Sequence, residues 1–188
     1  MKCVFWNSRS ISALGRRKCI EDTIIPLQVD YIGFQETKKE SFSASFLKNV
    51  IGNRNFYWNY LPANGSAGGI LVGVNANIFD IISWEIKSFS VSVIVKIRKN
   101  EMVVRFTTVY GSPYEEGKQA FISELHELFV NWDGPAIIGG DFNLVRSQAD
   151  KSNGTVDFKW VDKFNAWVEI WALMEINLAG RMFTWSNN

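Results

Sequence analysis

A chain of 188 residues, 47% apolar and 21% charged, is long enough for one domain with a sizeable core and has the balance of an ordinary globular protein. A formal net charge of +1 neither favours nor excludes nucleic acid, because a basic groove can sit inside a neutral total. Cys3 and Cys19 make no disulfide framework and no metal-ligand spacing, and no apolar run approaches the roughly 18 residues of a membrane span or forms a signal peptide, so a reducing, intracellular setting is expected.

Cys3 to Trp6 reads as a buried strand that ends at Asn7, with Cys3 as a small hydrophobe within it. Ser8-Arg9-Ser10 begins a loop, and Ile20 to Leu27 reads as a helix up to about Pro26. Tyr31-Ile32-Gly33-Phe34 is a second buried strand running into Gln35-Glu36-Thr37, and strand, helix, strand is an α/β opening. A helix is expected from Ser41 to Val50, capped by Ser41. Phe56 to Tyr60 is aromatic-rich, Asn64 to Gly69 is a flexible turn, and Ile70 to Val74 is a buried strand.

Phe79 to Ile86 and Phe89 to Ile97 read as a meander pair, because Val91, Val93, Val95 and Ile97 recur with period two. Lys99-Asn100 fits a tight turn into a strand from Met102 to Val109, which ends in Tyr110-Gly111-Ser112-Pro113. Glu115 to Trp132 is a helix with Ala120, Phe121, Leu125, Leu128 and Phe129 as its apolar stripe and Glu124 and Glu127 facing water. Ala136 to Ile138 is a short strand before Gly139-Gly140-Asp141-Phe142-Asn143. Asp157 is expected to cap a last helix, whose Trp160, Phe164, Trp167 and Trp171 are expected to be buried against a sheet rather than to stack bases. Met182 onward looks like the start of another strand, and nothing in the chain marks a linker or repeat, so residues 1–188 are expected to form a single domain.

Four apolar segments therefore stop at polar groups: Asn7, Glu36, Tyr110, and Asp141 with Asn143. The carboxyl ends of strands in α/β sheets are rigid mounts where sites form. If these ends converge, Glu36 is a hard oxygen ligand suited to Mg²⁺, and Asp141 can accept a proton from an attacking water. Asn7 and Asn143 can hydrogen-bond that carboxylate or a phosphoryl oxygen without adding charge, and Tyr110 can donate its hydroxyl to a phosphate. A phosphodiester suits this set, because its hydrolysis gathers negative charge that a cation and neutral donors answer.

Trp6-Asn7, Gln35-Glu36-Thr37, Tyr110-Gly111-Ser112-Pro113 and Gly139-Gly140-Asp141-Phe142-Asn143 occur in the order seen in the endonuclease/exonuclease/phosphatase (DNase I-like) superfamily, which the chain resembles over nearly its whole length. Gly65-Ser66-Ala67-Gly68-Gly69-Ile70-Leu71-Val72 and Gly180-Arg181-Met182-Phe183-Thr184-Trp185-Ser186-Asn187 are similar to the apurinic-type endonuclease region of plant LINE-type (non-LTR) retrotransposon polyproteins. The resemblance implies a four-layer α/β sandwich, two mixed sheets face to face with helices outside. It implies a phosphodiesterase that nicks DNA with Mg²⁺ or Mn²⁺ and uses no small-molecule cofactor and no membrane. Carried over, Glu36 binds the metal, Asp141 positions the water, Asn7, Tyr110 and Asn143 hold phosphate, and Asn153 is a further substrate contact. A monomer, or one part of a longer polyprotein, in the nucleus is the matching expectation.

The chain departs from the family pattern in lacking, after its Thr184-Trp185-Ser186-Asn187, the aspartate and the acid-paired histidine that the family uses. A truncated domain without its last strand or strands, possessing little activity, is therefore expected. The single histidine, His126, matches no family motif and reads as a flank residue of its helix. Two other functions stay open: a phosphatase or phospholipase of the same superfamily, and a non-catalytic remnant that binds nucleic acid.

Overall fold

The structure, a computed structural model, describes residues 1–11, 14–65, 67–151, 154–176 and 179. It divides into two compact units, Met1–Tyr110 with Asp133–Asp141, and Gly111–Trp132 with Phe142–Asn188.

The first unit holds two four-stranded mixed sheets. Strands β1 (Cys3–Asn7), β2 (Tyr31–Gln35), β3 (Phe56–Leu61) and β4 (Ile70–Asn75) form one sheet in the order β1-β2-β4-β3, with β1 and β2 parallel and the other pairs antiparallel. Strands β5 (Phe79–Ile86), β6 (Ser90–Ile97), β7 (Val103–Tyr110) and β8 (Ala136–Asp141) form the other in sequence order, with β7 and β8 parallel. Both faces of the first sheet are covered. Ile32, Phe34 and Leu71 on one face meet Ile20 and Ile24 of helix α1 (Leu14–Leu27) and Phe46, Val50 and Ile51 of α2 (Ala44–Ile51). Tyr31, Ile70, Val72 and Val74 on the other face meet Val91, Val93, Val95, Val104 and Phe106 of the second sheet. Covering on both faces is why β2 and β4 read as unbroken apolar runs, whereas β6 alternates.

The two sheets pack closely at two glycines. A Cβ on Gly33 would lie 2.0 Å from Thr108 Oγ1, and one on Gly139 would lie 2.7 Å from the Phe5 ring. Beside Gly33, the Tyr31 and Thr108 hydroxyls bond at 2.7 Å, and Tyr31 stacks on Phe106 with ring centroids 4.9 Å apart. Burial pushes the Tyr31 phenol well above its ordinary pKa despite that bond. The half-buried Cys3 thiol is likewise raised, to about 11, by burial and then by Asp30, so it stays protonated at neutral pH.

In the second unit α3 (Glu115–Val130) and α4 (Phe158–Ile170) run side by side in the same direction, with Trp160 on Glu115 at one end and Trp167 on Phe129 toward the other. Asp157 caps α4 by accepting from the Lys159 amide at 3.0 Å, as expected. Phe142, Phe164 and Trp167 form an aromatic cluster with Phe121 and Phe129, so the stripe of α4 is core rather than a stacking platform, and in this unit it packs on α3 and Phe142.

The α/β sandwich of two mixed sheets with helices is the fold class that the family resemblance implies. Several boundaries differ. Helix α1 starts at Leu14 rather than Ile20; Gly15-Arg16-Arg17-Lys18 has no apolar face for periodicity to detect. Helix α2 starts at Ala44 and its cap is Ser43, whose Oγ accepts from the Phe46 amide at 3.2 Å, not Ser41. In α3 Ile122 rather than Ala120 completes the buried stripe, and Glu124 is buried while Glu127 is exposed, since the stripe through Phe121, Leu125, Leu128 and Phe129 carries positions 122 and 124 on its flanks and leaves 120 outside. Strand β8 runs on through both glycines to Asp141, which pairs in register with Tyr110.

Gly33→Ala is expected to destabilise the protein by about 1–3 kcal/mol through overpacking, each kcal/mol lowering the melting temperature by ~2–4 °C for a chain of this size. Gly33→Ala combined with Thr108→Ala should recover part of that loss in thermal melts, since the clashing hydroxyl is gone.

Candidate active site

Three of the four strand ends point inward by simple parity. Along β1 the inward positions are Cys3, Phe5 and Asn7; along β7 they are Val104, Phe106, Thr108 and Tyr110; along β8 they are Ile137, Gly139 and Asp141. Gly139, two residues before Asp141, admits the Phe5 ring, and Gly140, at φ +135, crosses so near the Val109 carbonyl that a Cβ would lie 2.1 Å from its oxygen. Asn7 and Asp141 meet as a result: Asn7 Nδ2 donates to Asp141 Oδ2 at 2.7 Å. The Arg9 amide donates to Asn7 Oδ1 at 3.0 Å, so both ends of the carboxamide are engaged and its orientation is set.

Glu36 reaches the same cluster by another route. It follows β2 where strand parity would carry its side chain outward, and a left-handed turn at φ +52 redirects it. The Tyr110 hydroxyl then donates to Glu36 Oε1 at 2.8 Å. Holding a glutamate there costs on the order of 1–3 kcal/mol, and the surrounding chain supplies the restraint. The Ser10 amide donates to the Glu36 carbonyl at 2.7 Å, and the Thr37 and Lys38 amides donate to the Gly69 and Gly68 carbonyls at 3.2 and 3.0 Å. Gly69 is itself left-handed at φ +88, and a Cβ there would lie 2.4 Å from the buried Thr37 hydroxyl.

The site is therefore a closed ring. Asn7 lies beside β2 in register with Gln35, which precedes Glu36; Tyr110 and Asp141 are register partners; and the two side-chain bonds link one sheet to the other. The set is all oxygen and amide, with two carboxylates held by neutral donors. Among the described residues no three His, Cys, Asp or Glu side chains gather as they would around zinc. The donor chemistry instead suits Mg²⁺, which keeps several waters and typically takes one or two carboxylates, so Glu36 could hold such an ion without further protein ligands.

Asn143 lies in the second unit, two residues beyond Asp141, at φ +50, and its Nδ2 donates to the Gly111 carbonyl at 2.8 Å. Gly111 is required there, because a Cβ would lie 2.0 Å from the Phe142 carbonyl oxygen. Asn153 and the stretch from Gly180 lie outside the described residues. His126 is a half-buried flank residue of α3, as expected, and its Nδ1 accepts from the Trp171 indole at 3.1 Å. Sequence reasoning passed over Ser8, which is fully buried beneath the turn that carries Glu36. No residue pattern distinguishes it from an ordinary loop serine.

Glu36→Gly should be more stable than Glu36→Ala by about 1 kcal/mol in chemical denaturation, because only glycine takes the left-handed turn without strain. Equal stabilities, or a more stable alanine variant, would contradict the conformation assigned to residue 36.

The chain matches the endonuclease/exonuclease/phosphatase family over residues 4–186. No curated protein matches the sequence. Among solved structures, the catalytic domain of Xenopus laevis APE2 aligns with a TM-score of 0.61 at 17% identity, over 90% of this chain and 67% of that one. An AP endonuclease from Archaeoglobus fulgidus gives 0.68 at 14% identity, over 90% and 70%. The mannosyl-6-phosphatase Bt3783 of Bacteroides thetaiotaomicron VPI-5482 gives 0.57 at 14% identity, over 87% and 69%. At these identities the likeness is one of fold, and the chain spans about two thirds of the length of the proteins it matches. With two mixed sheets, helices and a family match over nearly its whole length, the chain belongs to the endonuclease/exonuclease/phosphatase family.

Proposed function

We propose that this chain is a divalent-metal-dependent phosphodiesterase that nicks DNA, of the kind found in plant LINE-type retroelement polyproteins. One observation carries the reading: the paired bonds Asn7–Asp141 and Tyr110–Glu36 close four strand ends into one polar cluster. Glu36 is the carboxylate that holds Mg²⁺ or Mn²⁺, and the ion, when bound, supplies positive charge to the phosphoryl and leaving oxygens. Asp141 accepts the proton of the attacking water, and Asn7 keeps its carboxylate at a fixed angle. The Tyr110 hydroxyl, whose one proton goes to Glu36 here, turns that proton to a phosphate oxygen once Glu36 engages the ion. Asn7 supplies an amide donor to the phosphate; on the family resemblance alone, Asn143 is assigned a phosphate contact and Asn153 a further substrate contact.

DNA is preferred over a phosphorylated small molecule on the resemblance of residues 65–72 and 180–187 to the retroelement subgroup. A nuclear location, and action as a monomer or as part of a polyprotein, go with that choice. A second reading is binding of nucleic acid without cleavage.

With Mg²⁺ or Mn²⁺ supplied, Asp141→Asn should lower nicking of supercoiled plasmid by at least about 100-fold, the lower bound for loss of a positioned base. Tyr110→Phe should lower it less, and chelation should abolish it. If neither wild type nor Asp141→Asn nicks above background, while both retard DNA in gel shifts that Glu36→Ala leaves unchanged, the binding reading replaces the catalytic one.

A further inference from the structure

We propose that Ser8 is a positioning residue for the Glu36 carboxylate, acting through the main chain; the inference rests on the reading of Glu36 as the metal-holding group. Ser8 is fully buried at the end of β1. Its amide donates to the Gln35 carbonyl at 2.9 Å, and its hydroxyl donates to the same carbonyl at 2.8 Å, with a weaker limb to the Glu36 carbonyl at 3.4 Å. Those two carbonyls belong to the peptide planes on either side of the Glu36 Cα. Because each plane is rigid, holding both sets φ and ψ of Glu36 and so the direction in which its side chain leaves the backbone.

That restraint matters at this residue because φ +52 is not a conformation glutamate keeps unaided. The other restraints on the second plane, the Ser10 amide on the Glu36 carbonyl and the Thr37 amide on the Gly69 carbonyl, come from main-chain groups that almost any residue would supply. The Ser8 hydroxyl is the contribution that depends on side-chain identity. Without it, the Gln35 carbonyl loses its side-chain donor, the turn can relax toward right-handed φ, and the carboxylate swings away from the Tyr110 hydroxyl. Ser8 touches neither substrate nor metal in this account; it fixes where the ligand points, as partners of metal ligands do.

The test is Mn²⁺ titration of the metal-free protein followed by electron paramagnetic resonance, with melting temperature measured in parallel. Ser8→Ala should bind Mn²⁺ about 10-fold more weakly, the low end of the range for losing a group that orients a metal ligand. Tyr31→Phe, which removes the buried bond to Thr108 elsewhere in the same unit, should lower the melting temperature by a similar amount and leave Mn²⁺ affinity unchanged. Should Ser8→Ala fail to fold, Ser8→Cys, of similar volume but a weak donor, carries the same expectation. Wild-type affinity in the Ser8 variant, beside weakened binding in Glu36→Ala, would overturn the role of Ser8 while sparing the metal reading. Equal loss of affinity in Tyr31→Phe would also overturn it, since the effect would then be general destabilisation. Unchanged binding in Glu36→Ala would remove the metal reading and this inference with it.

Discussion

The closeness of the two sheets at one end governs everything at the site. Two hydrogen bonds of 2.7 and 2.8 Å span the sheets there, and bonds of that length are lost if the sheets part by an ångström. The approach is permitted by glycine at two inward positions, Gly33 against Thr108 and Gly139 against Phe5, where any side chain would act as a spacer. The apolar layer of Tyr31, Val72, Val93 and Phe106 supplies the attraction that draws the sheets together. Packing and chemistry are thus consecutive parts of the same strands.

The first sheet carries a double burden, with apolar side chains on both faces and a helical pair on its outer side. That makes β2 and β4 its rigid spine, and the Glu36 turn is mounted at the end of this spine. The turn is knitted from three segments, 8–11, 36–38 and 68–69, and left-handed backbone recurs in it at Arg9, Ser10, Glu36, Lys38, Gly68 and Gly69. Strain concentrated at a carboxylate that meets Tyr110, and balanced by buried hydrogen bonds, is a common arrangement where geometry must be held.

The sequence made Asn7, Tyr110 and Asp141 legible for a physical reason. Each ends a strongly apolar strand, and counting by twos from Phe5, Phe106 or Ile137 carries the polar residue onto the inner face. Glu36 was different. It too follows an apolar strand, which is how it was singled out, but parity alone would have turned it outward; the left-handed turn that corrects its direction leaves no mark in residue type. Ser8 was silent for the same reason, because its value lies in which carbonyls it reaches. The helices were readable where an apolar face exists, as in α4, and not where charge fills the first turns, as in α1. Ser41 and Ser43 are equally good caps in isolation, and only tertiary packing of Phe46, Val50 and Ile51 chooses between them.

Asp141 belongs to a ladder rather than to a loop, since β8 continues through both glycines and pairs it with Tyr110. Its carboxylate is therefore mounted on main chain that is already ordered before any ligand arrives. Glu36 shares that condition through the amides and hydroxyl gripping its turn. A ligand held by these two carboxylates would cost almost no backbone entropy, so contact energy would go into affinity rather than into folding a segment around the guest.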